Sequence, residues 1–184
     1  SVAYSPDGSR IATVGGDNSV AYSPDSSRIA TVGSDRALRV WDASGLSSPP
    51  LQKLDAHSGF ISSVVYSPVG SRIATVGYDR ALRVWDASNL SSPLLERLNA
   101  HSSDIRSVAY SPDGSRIATV GGDKRIATVG DDRALRVWDA SDLSSPSPLL
   151  QKLNAHSYSI TSVAYSPDGS RIATVGWDRA LRVW

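Results

Sequence analysis

The sequence predicts an all-β protein assembled from copies of one four-stranded antiparallel sheet. The segment RIATVG-x-DRALRVWD occurs at residues 28–42, 72–86 and 125–139, and again without its last letter at 171–184. Each copy alternates short runs of β-branched and aromatic residues with turn signals such as Ser-Pro-Asp-Gly, which is typical of hairpins. So close an internal repeat has to be interpreted first, because it decides the architecture.

Each copy contains four candidate strands, which we name a to d. Strand a is Ser-Val-Ala-Tyr, strand b is Arg-Ile-Ala-Thr-Val, strand c is Ala-Leu-Arg-Val-Trp, and strand d is Leu-Leu-Gln-Lys-Leu or a close variant. The predicted sheet is an antiparallel meander of these strands in chain order. Strand c has no purely polar face, since Leu82 and Val84 point one way while Ala81 and Trp85 point the other. We therefore expect neighbouring copies to cover both faces of each sheet.

The copies are expected to form a single domain over residues 1–184. They start near Ser1, Ser19, Ser63, Ser107 and Ser162, so that two successive steps, 19 to 63 and 63 to 107, are 44 residues each. The first copy is truncated after strand b, and the fourth carries an extra RIATVG at 125–130. Loss or gain of whole copies would not produce either of these junctions. We hypothesise that stretches of a longer chain are missing after Asn18 and Lys124, and an intact mass near 19.5 kDa would remove this hypothesis.

If no residues are missing at these junctions, strand direction limits how the chain can continue. Losing strands c and d together leaves the chain at the correct end to begin the next strand a. Adding one strand b reverses the direction of everything that follows it. One of the two RIATVG segments of the fourth copy would then have to leave the ladder.

Composition argues against several classes of function. The chain has 19 Lys and Arg against 18 Asp and Glu, and this balance disfavours a surface that binds phosphates by bulk charge. Cysteine is absent, which excludes disulfides and cysteine-ligated metals and favours a cytoplasmic location. No apolar run approaches the roughly 18 residues of a membrane-spanning helix. We expect neither a nucleic-acid nor a membrane partner.

Residues 56–86, AHSGFISSVVYSPVGSRIATVGYDRALRVWD, resemble the WD40 repeat. The resemblance lies in a His-bearing turn, a Ser-Pro hairpin and a closing Trp-Asp, and it covers essentially the whole chain. Ala-His replaces the usual Gly-His, and Thr replaces the usual Ser of strand b. The likeness implies a WD40-type β-propeller, whose four-stranded blades pack face to face around a channel. The chain would supply about four to five blades of an incomplete ring, expected to be part of a ring of about six or seven.

The resemblance also implies a buried hydrogen-bond set in each complete blade. Its members are the Trp of strand c, the Thr of strand b, the His of the d–a turn and the Asp of the b–c turn. A buried indole N–H needs an acceptor, and a Thr hydroxyl and a neutral His can relay the bond. The implied sets are His57, Thr75, Asp79 and Trp85; His101, Thr128 or Thr119, Asp132 and Trp138; and His156, Thr174, Asp178 and Trp184.

The three histidines near Asp and Ser or Thr could suggest a Ser-His-Asp triad or a metal site. Repetition argues against both, because an enzyme needs one site and each His belongs to a different blade. We predict no catalytic residue, cofactor or metal. Two further sets of residues recur once per copy, and we expect them to pair with the recurring aspartates rather than to form a basic ring for nucleic acid. They are Arg10, Arg28, Arg72, Arg116 and Arg171, and Arg36, Arg80, Arg133 and Arg179.

Variation between the copies concentrates at the b–c turn, the d–a turn and the start of strand a. In an antiparallel meander the two turns lie at the same end of the blade, so the varied side chains should share one face. Aromatic and Arg anchors among small polar residues are typical of binding hot spots. Packing of Tyr78 and Trp177 on neighbouring blades is the alternative. The predicted partner-binding residues are Ser34, Phe60, Tyr78, Asp104, Arg106, Asp131, Tyr158 and Trp177.

The predicted function is a non-catalytic scaffold that binds a protein or peptide across this face. Two alternatives stay open. One is small-ligand or glycan binding through Tyr78, Tyr158 and Trp177, and the other is a purely structural or engineered repeat without a native ligand. An incomplete ring also leaves strand edges unpaired, which makes self-association through these edges a further expectation.

Overall fold

The computed structural model describes residues 1–15, 17–45, 47–121 and 133–184, with the side chains of Asp17 and Asn18 left out. The described part of the chain contains seventeen β-strands in five antiparallel sheets and no helix. The prediction of an all-β protein is therefore confirmed.

Each sheet is one blade. The first blade contains β1 (Val2–Tyr4) and β2 (Ile11–Thr13), and the second contains β3 (Asp17–Tyr22), β4 (Arg28–Gly33), β5 (Leu38–Asp42) and β6 (Leu51–Lys53). The third contains β7 (Ile61–Tyr66), β8 (Arg72–Gly77), β9 (Leu82–Asp86) and β10 (Leu95–Arg97). The fourth contains β11 (Ile105–Tyr110), β12 (Arg116–Gly121), β13 (Leu135–Asp139) and β14 (Leu150–Lys152). The fifth contains β15 (Ile160–Tyr165), β16 (Ile172–Gly176) and β17 (Leu181–Val183).

The strands of every blade pair in chain order, which confirms the predicted meander. Strands b and c also keep one register, since Arg28 lies opposite Asp42 in the second blade as Arg116 lies opposite Asp139 in the fourth. The strand b of the fourth blade is thus the first RIATVG segment, β12. The second segment, at residues 125–130, lies outside the described residues.

Neighbouring blades bury their apolar faces against each other, as the composition of strand c predicted. Between the second and third blades, Val32 and Leu38 pack in one core cluster with Ile61, Ile73 and Trp85. Equivalent clusters join the third blade to the fourth and the fourth to the fifth. The a strands of adjacent blades lie next to each other, β3 by β7 and β7 by β11, so they are innermost. The described blades form an open array rather than a closed ring, as expected for part of a propeller.

Long cationic side chains fasten each blade to the one that follows it. Arg28 donates to the carbonyl of Ala87 at 2.9 Å, and Arg72 donates to the carbonyl of Ala140 at 3.1 Å. Arg10 donates in the same way to the carbonyl of Ala43. In the d strands, Lys53 donates to the carbonyl of Ser91 and Arg97 donates to the carbonyl of Pro146. The expectation that the strand-b arginines pair with aspartates was wrong for Arg10, Arg28 and Arg72, because their acceptors are backbone carbonyls. Arg36 does pair with an aspartate, Asp55, at 2.7 Å.

The a–b hairpins are held by short polar contacts around a buried serine. In the second blade Ser23 donates to Asp25 at 2.6 Å, while the backbone N–H groups of Ser27 and Arg28 donate to Asp25 and to Ser23. The hydrogen bonds from Ser23 and Ser27 lower the pKa of Asp25 from 3.8 to about 2. This turn faces away from the b–c and d–a turns.

One hairpin carries a strained residue, which leads to a first prediction. Ser26 has φ +61°, where the other hairpins place glycines with φ from +70° to +80°. A left-handed conformation costs a residue with a Cβ about 1 kcal/mol. We expect Ser26→Gly to raise the free energy of unfolding by about 0.5–1 kcal/mol, measured by urea denaturation. The reverse change, Gly114→Ser, is the matched control and should destabilise; equal signs for the two variants would contradict the prediction.

A second prediction concerns the third hairpin, where Val69 replaces the aspartate found in the other four. The Val69 side chain is 83% exposed, and Ser67 still accepts from the N–H of Arg72. Val69→Asp should raise the urea midpoint, because Ser67 and Ser71 gain the acceptor that Ser23 and Ser27 have in Asp25.

The gain should depend on pH in a defined direction. In the equivalent turns the pKa of the aspartate is lowered from 3.8 to about 2, so the folded state releases the proton more readily than the unfolded state. The stabilisation is then complete above pH 3.8 and is lost as the pH falls towards 2. Val69→Asn provides the neutral control, and a gain in Val69→Asp that did not decline between these pH values would refute the explanation.

Candidate binding face

A buried hydrogen-bond set connects strand c to the turns in the third blade. The indole Nε1 of Trp85 donates to Oγ1 of Thr75 at 2.8 Å, and Nε2 of His57 lies 2.8 Å from the same oxygen. Nδ1 of His57 lies 2.9 Å from a carboxylate oxygen of Asp79. With its proton on Nδ1, His57 donates to Asp79 and accepts from the Thr75 hydroxyl, so each of these polar groups has a partner.

The fourth blade uses the first of its two candidate threonines. Oγ1 of Thr119 lies 2.8 Å from Nε2 of His101 and accepts from Trp138 at 3.0 Å. Thr119 holds this place because it lies in β12, the strand that pairs with strand c. Thr128 and Asp132 lie outside the described residues.

The fifth blade follows the same plan, whereas the second blade has the Trp–Thr bond without a His. In the fifth blade His156 contacts Thr174 and Asp178, both at 2.8 Å, and Trp184 donates to Thr174 at 3.0 Å. In the second blade Trp41 donates to Thr31 at 3.1 Å. The structure thus brings together every described residue of the implied sets.

An arginine of strand c is an additional member of each set that the sequence did not reveal. In the third blade Nη1 of Arg83 lies 2.8 Å from Asp79 and 2.8 Å from Nδ1 of His57. The equivalents are Arg182 with Asp178, Arg136 with His101, and Arg39 with Asp35. The signal was present, since this arginine recurs in every copy of strand c. Its role was missed because strand alternation gives the direction of a side chain and not the reach of a guanidinium.

The electrostatics of the set suit a structural role. Burial lowers the pKa of His57 below 6.5, and the nearby Arg83 charge acts in the same direction. Burial alone would raise the pKa of Asp79, but hydrogen bonds from His57 and Arg83 hold it well below 3.8. At neutral pH the histidine is therefore neutral and the carboxylate ionised. Thr75 is completely buried, so no substrate reaches its hydroxyl.

Two further features are absent from the described residues. No group of three or more His, Asp or Glu side chains there could hold a metal ion. No helix in that part of the chain is long and apolar enough to cross a membrane.

The b–c and d–a turns meet at one end of each blade, as the meander requires. The N–H of Tyr78 donates to the carbonyl of Phe60 at 2.8 Å, and their ring centroids are 5.9 Å apart. In the fifth blade the N–H of Trp177 donates to the carbonyl of Ser159 at 3.0 Å. We call the surface made by these turns the varied face.

The varied residue at the start of strand a is a β-bulge in each complete copy. The register shifts between Ile61 and Ser63, and equivalent shifts flank Arg106 and Thr161. A bulge frees one residue from the ladder and redirects its side chain. The guanidinium of Arg106 lies over the Tyr78 ring of the preceding blade, 4.7 Å from its centroid, and donates to the Tyr78 hydroxyl.

The predicted partner-binding residues fall into two groups. Tyr78, Asp104 and Arg106 are partly buried. Arg106 contacts Tyr78 across the blade boundary and lies 3.7 Å from Asp104 of its own blade. For Tyr78 the alternative of packing on a neighbouring blade therefore holds. The remaining described residues are exposed: Ser34, Phe60 (49%), Tyr158 (65%) and Trp177 (74%). Asp131 lies outside the described residues.

A cavity of about 620 Å³ lies at the opposite end, where the a strands finish. Tyr-Ser-Pro segments of four blades line it, including Tyr66 and Tyr110. Burial raises the pKa of Tyr110 to about 12. Because the cavity is at the hairpin end, it is separate from Tyr158 and Trp177.

Comparison with known families agrees with this geometry. The profile of the family described as WD domain, G-beta repeat matches residues 18–42, 48–86, 92–139 and 147–184. The chain belongs to the WD40 repeat family. The matched segments cover more than half of the chain, and WD40 repeats commonly act as scaffolds for protein–protein interaction. A comparison with curated proteins finds no match.

The buried set yields a third prediction. Thr75→Val removes the hydroxyl that joins Trp85 to His57 and leaves two buried polar groups without a partner. We expect the free energy of unfolding to fall by about 2 kcal/mol in urea denaturation. Thr75→Ser keeps the hydroxyl and should lose clearly less; if valine and serine cost the same, the hydrogen bonds are not the cause.

Proposed function

We propose that this WD40 chain is a non-catalytic scaffold that binds a protein or peptide across the varied face. The observation that carries the proposal is that the varied residues of the b–c turns, the d–a turns and the start of strand a share one end of the blades, while the strand cores stay nearly identical. Three of them, Phe60, Tyr158 and Trp177, expose large aromatic side chains at turn tips. Such side chains are the usual anchors of protein interfaces.

The surroundings of these aromatic residues also fit an interface. Ser58 and Ser157 are exposed in the turns that carry Phe60 and Tyr158, so each of these rings has a small polar residue nearby in its turn. An aromatic anchor bordered by polar residues resembles the centre and rim of a binding site. The d–a turns are tied to the b–c turns through Asp79 and Asp178, so the two turns that carry the anchors hold each other in place.

The fixed polar residues support a scaffold rather than an enzyme. Each His, Thr and Asp set is buried, repeated from blade to blade, and engaged in holding a turn to a sheet. A catalytic group has to touch substrate, and Thr75, Thr119 and Thr174 are covered almost completely. The cytoplasmic location and the absence of nucleic-acid and membrane partners stay predictions.

A fourth prediction tests the face directly. Peptides selected from a random library on the whole 184-residue chain should lose at least tenfold in affinity when Phe60→Ala and Trp177→Ala are combined, measured by calorimetry. The control is Val69→Ser, which changes an exposed apolar residue on the hairpin side.

The results of this experiment distinguish peptide binding from glycan binding and from a purely structural repeat. Peptides that bind equally well to the double variant would place binding elsewhere and contradict the proposal. Saturable quenching of tryptophan fluorescence by free sugars, with no selected peptide, would favour glycan binding. Failure of both peptides and sugars would favour a structural repeat.

A further inference from the structure

Ser-Pro pairs occur at two places in each of the second, third and fourth blades, and the surroundings of the two places differ. The first place is the a–b hairpin, where Ser23, Ser67 and Ser111 are buried. Ser23 and Ser111 also donate a hydrogen bond to the aspartate two residues later. The hairpin serines are thus covered, and their hydroxyls hold the turn together.

The second place is the loop that joins strand c to strand d, where the serines are exposed. Ser48, Ser92 and Ser145 each precede a proline there. In an antiparallel meander this loop lies at the hairpin end of the blade, away from the varied face. A proline disfavours the α conformation in the residue before it, so the serine is biased towards an extended backbone. The loop therefore offers an exposed hydroxyl on an extended segment.

The pair Ser92-Pro93 of the third blade is the best placed of these. The third blade packs between the second and the fourth, each of which has all four strands, so the blades on both sides of this loop are present. In the fourth blade the Ser145 hydroxyl is engaged within its own loop, since it donates to the carbonyl of Ser147 at 3.1 Å. Ser92 is thus the exposed Ser-Pro serine with the most complete surroundings.

A cation of the preceding blade lies beside this serine. Nζ of Lys53 donates to the carbonyl of Ser91 at 2.8 Å, which places the ammonium group one residue from the Ser92 side chain. An ammonium group has three donors on a flexible stem. One donor can keep the Ser91 carbonyl while another pairs with a phosphate on Ser92.

The negative charge of the loop itself is low. Asp86 accepts hydrogen bonds from the N–H and the hydroxyl of Ser88, so its carboxylate is already engaged. Asn89 is neutral, whereas the fourth blade has Asp142 at the same position. A phosphate therefore meets less repulsion at Ser92 than at Ser145.

We infer that Ser92 is a phosphorylation site for a protein kinase that requires proline after the serine, and that Lys53 binds the phosphate. The γ-phosphoryl group of ATP is transferred to Oγ of Ser92, the bond from its phosphorus to the β–γ bridging oxygen breaks, and ADP leaves. The hydroxyl proton passes to the catalytic aspartate of the kinase. The phosphate then pairs with a cation of the second blade and strengthens the contact between the second and third blades.

This inference goes beyond the proposed function and does not depend on it, because the loop and the varied face lie at opposite ends of the blade. The test uses the whole chain, incubated with a cyclin-dependent kinase, Mg²⁺ and ATP. Peptide mass spectrometry should find phosphate on Ser92 and none on Ser67, because Ser67 is buried.

Two synthetic peptides provide the matched control, residues 64–72 and 89–97. Each contains one Ser-Pro pair and ends in an arginine five residues after that serine. Both peptides should be phosphorylated at similar rates, because neither serine is covered in a peptide. In the whole chain, Pro93→Ala should lower the rate at Ser92 by about tenfold or more, while Pro50→Ala should leave it unchanged.

The role of Lys53 is tested by ³¹P NMR of the phosphorylated chain. The second pKa of phosphoserine is about 6, and a neighbouring cation lowers it because it favours the dianion. An exposed ion pair of this kind should lower that pKa by about 0.5. Lys53→Gln should remove the lowering, whereas Lys152→Gln, the equivalent change in the fourth blade, should not.

Four results would overturn the inference, and all leave the proposed function intact. The first is phosphate on the peptide of residues 89–97 but not on Ser92 of the folded chain, and the second is phosphate on neither. The third is equal modification of Ser67 and Ser92 in the folded chain, because exposure would then not select the site. The fourth is a phosphate pKa that Lys53→Gln does not change, which would remove the role of Lys53.

Discussion

The structure depends on the burial of each inner sheet between two equivalent neighbours. Trp85 and Ile73 lie on one face of the third blade and pack against the second blade, while Leu82 and Val84 lie on the other face and pack against the fourth. A single blade has no core of its own, so its stability comes from the two interfaces it forms. This requirement explains why the strands are nearly identical, because a change on one face has to suit both the blade that carries it and the blade that covers it.

The same requirement determines where the sequence is free to vary. A residue in the ladder or in a core contributes to sheet pairing and packing, whereas a turn tip lies outside both the ladder and the core clusters. The bulged residue at the start of strand a is released as well, because the register shift leaves it without a cross-strand partner. Arg106 shows what this freedom permits, since it extends across the blade boundary to Tyr78. The positions that pair and pack the strands and the positions that vary are thus largely different residues of one repeat.

Much of this arrangement could be predicted from the sequence, and the remainder was hidden for identifiable reasons. The strands, the meander and the Trp–Thr–His–Asp sets follow from regular spacing and from the family resemblance. The acceptors of Arg28 and Arg72 could not be predicted, because every residue has a backbone carbonyl and the residue types do not indicate which one accepts. The choice between Thr119 and Thr128 was open because two identical segments compete for one strand position. The partial burial of Tyr78 depends on a side chain from the next blade, and no pattern within one copy reports such a contact.

The hydrogen bonds that these arginine and lysine side chains make between blades all lead from one blade to the blade that follows it. Arg28 and Lys53 extend from the second blade to the third, and Arg72 and Arg97 extend from the third to the fourth. The second and third blades therefore each carry donors for the blade that follows and acceptors for the blade that precedes. A duplicated unit enters the array with both halves of the joint already matched, so the protein can lengthen by gene duplication without inventing a new contact.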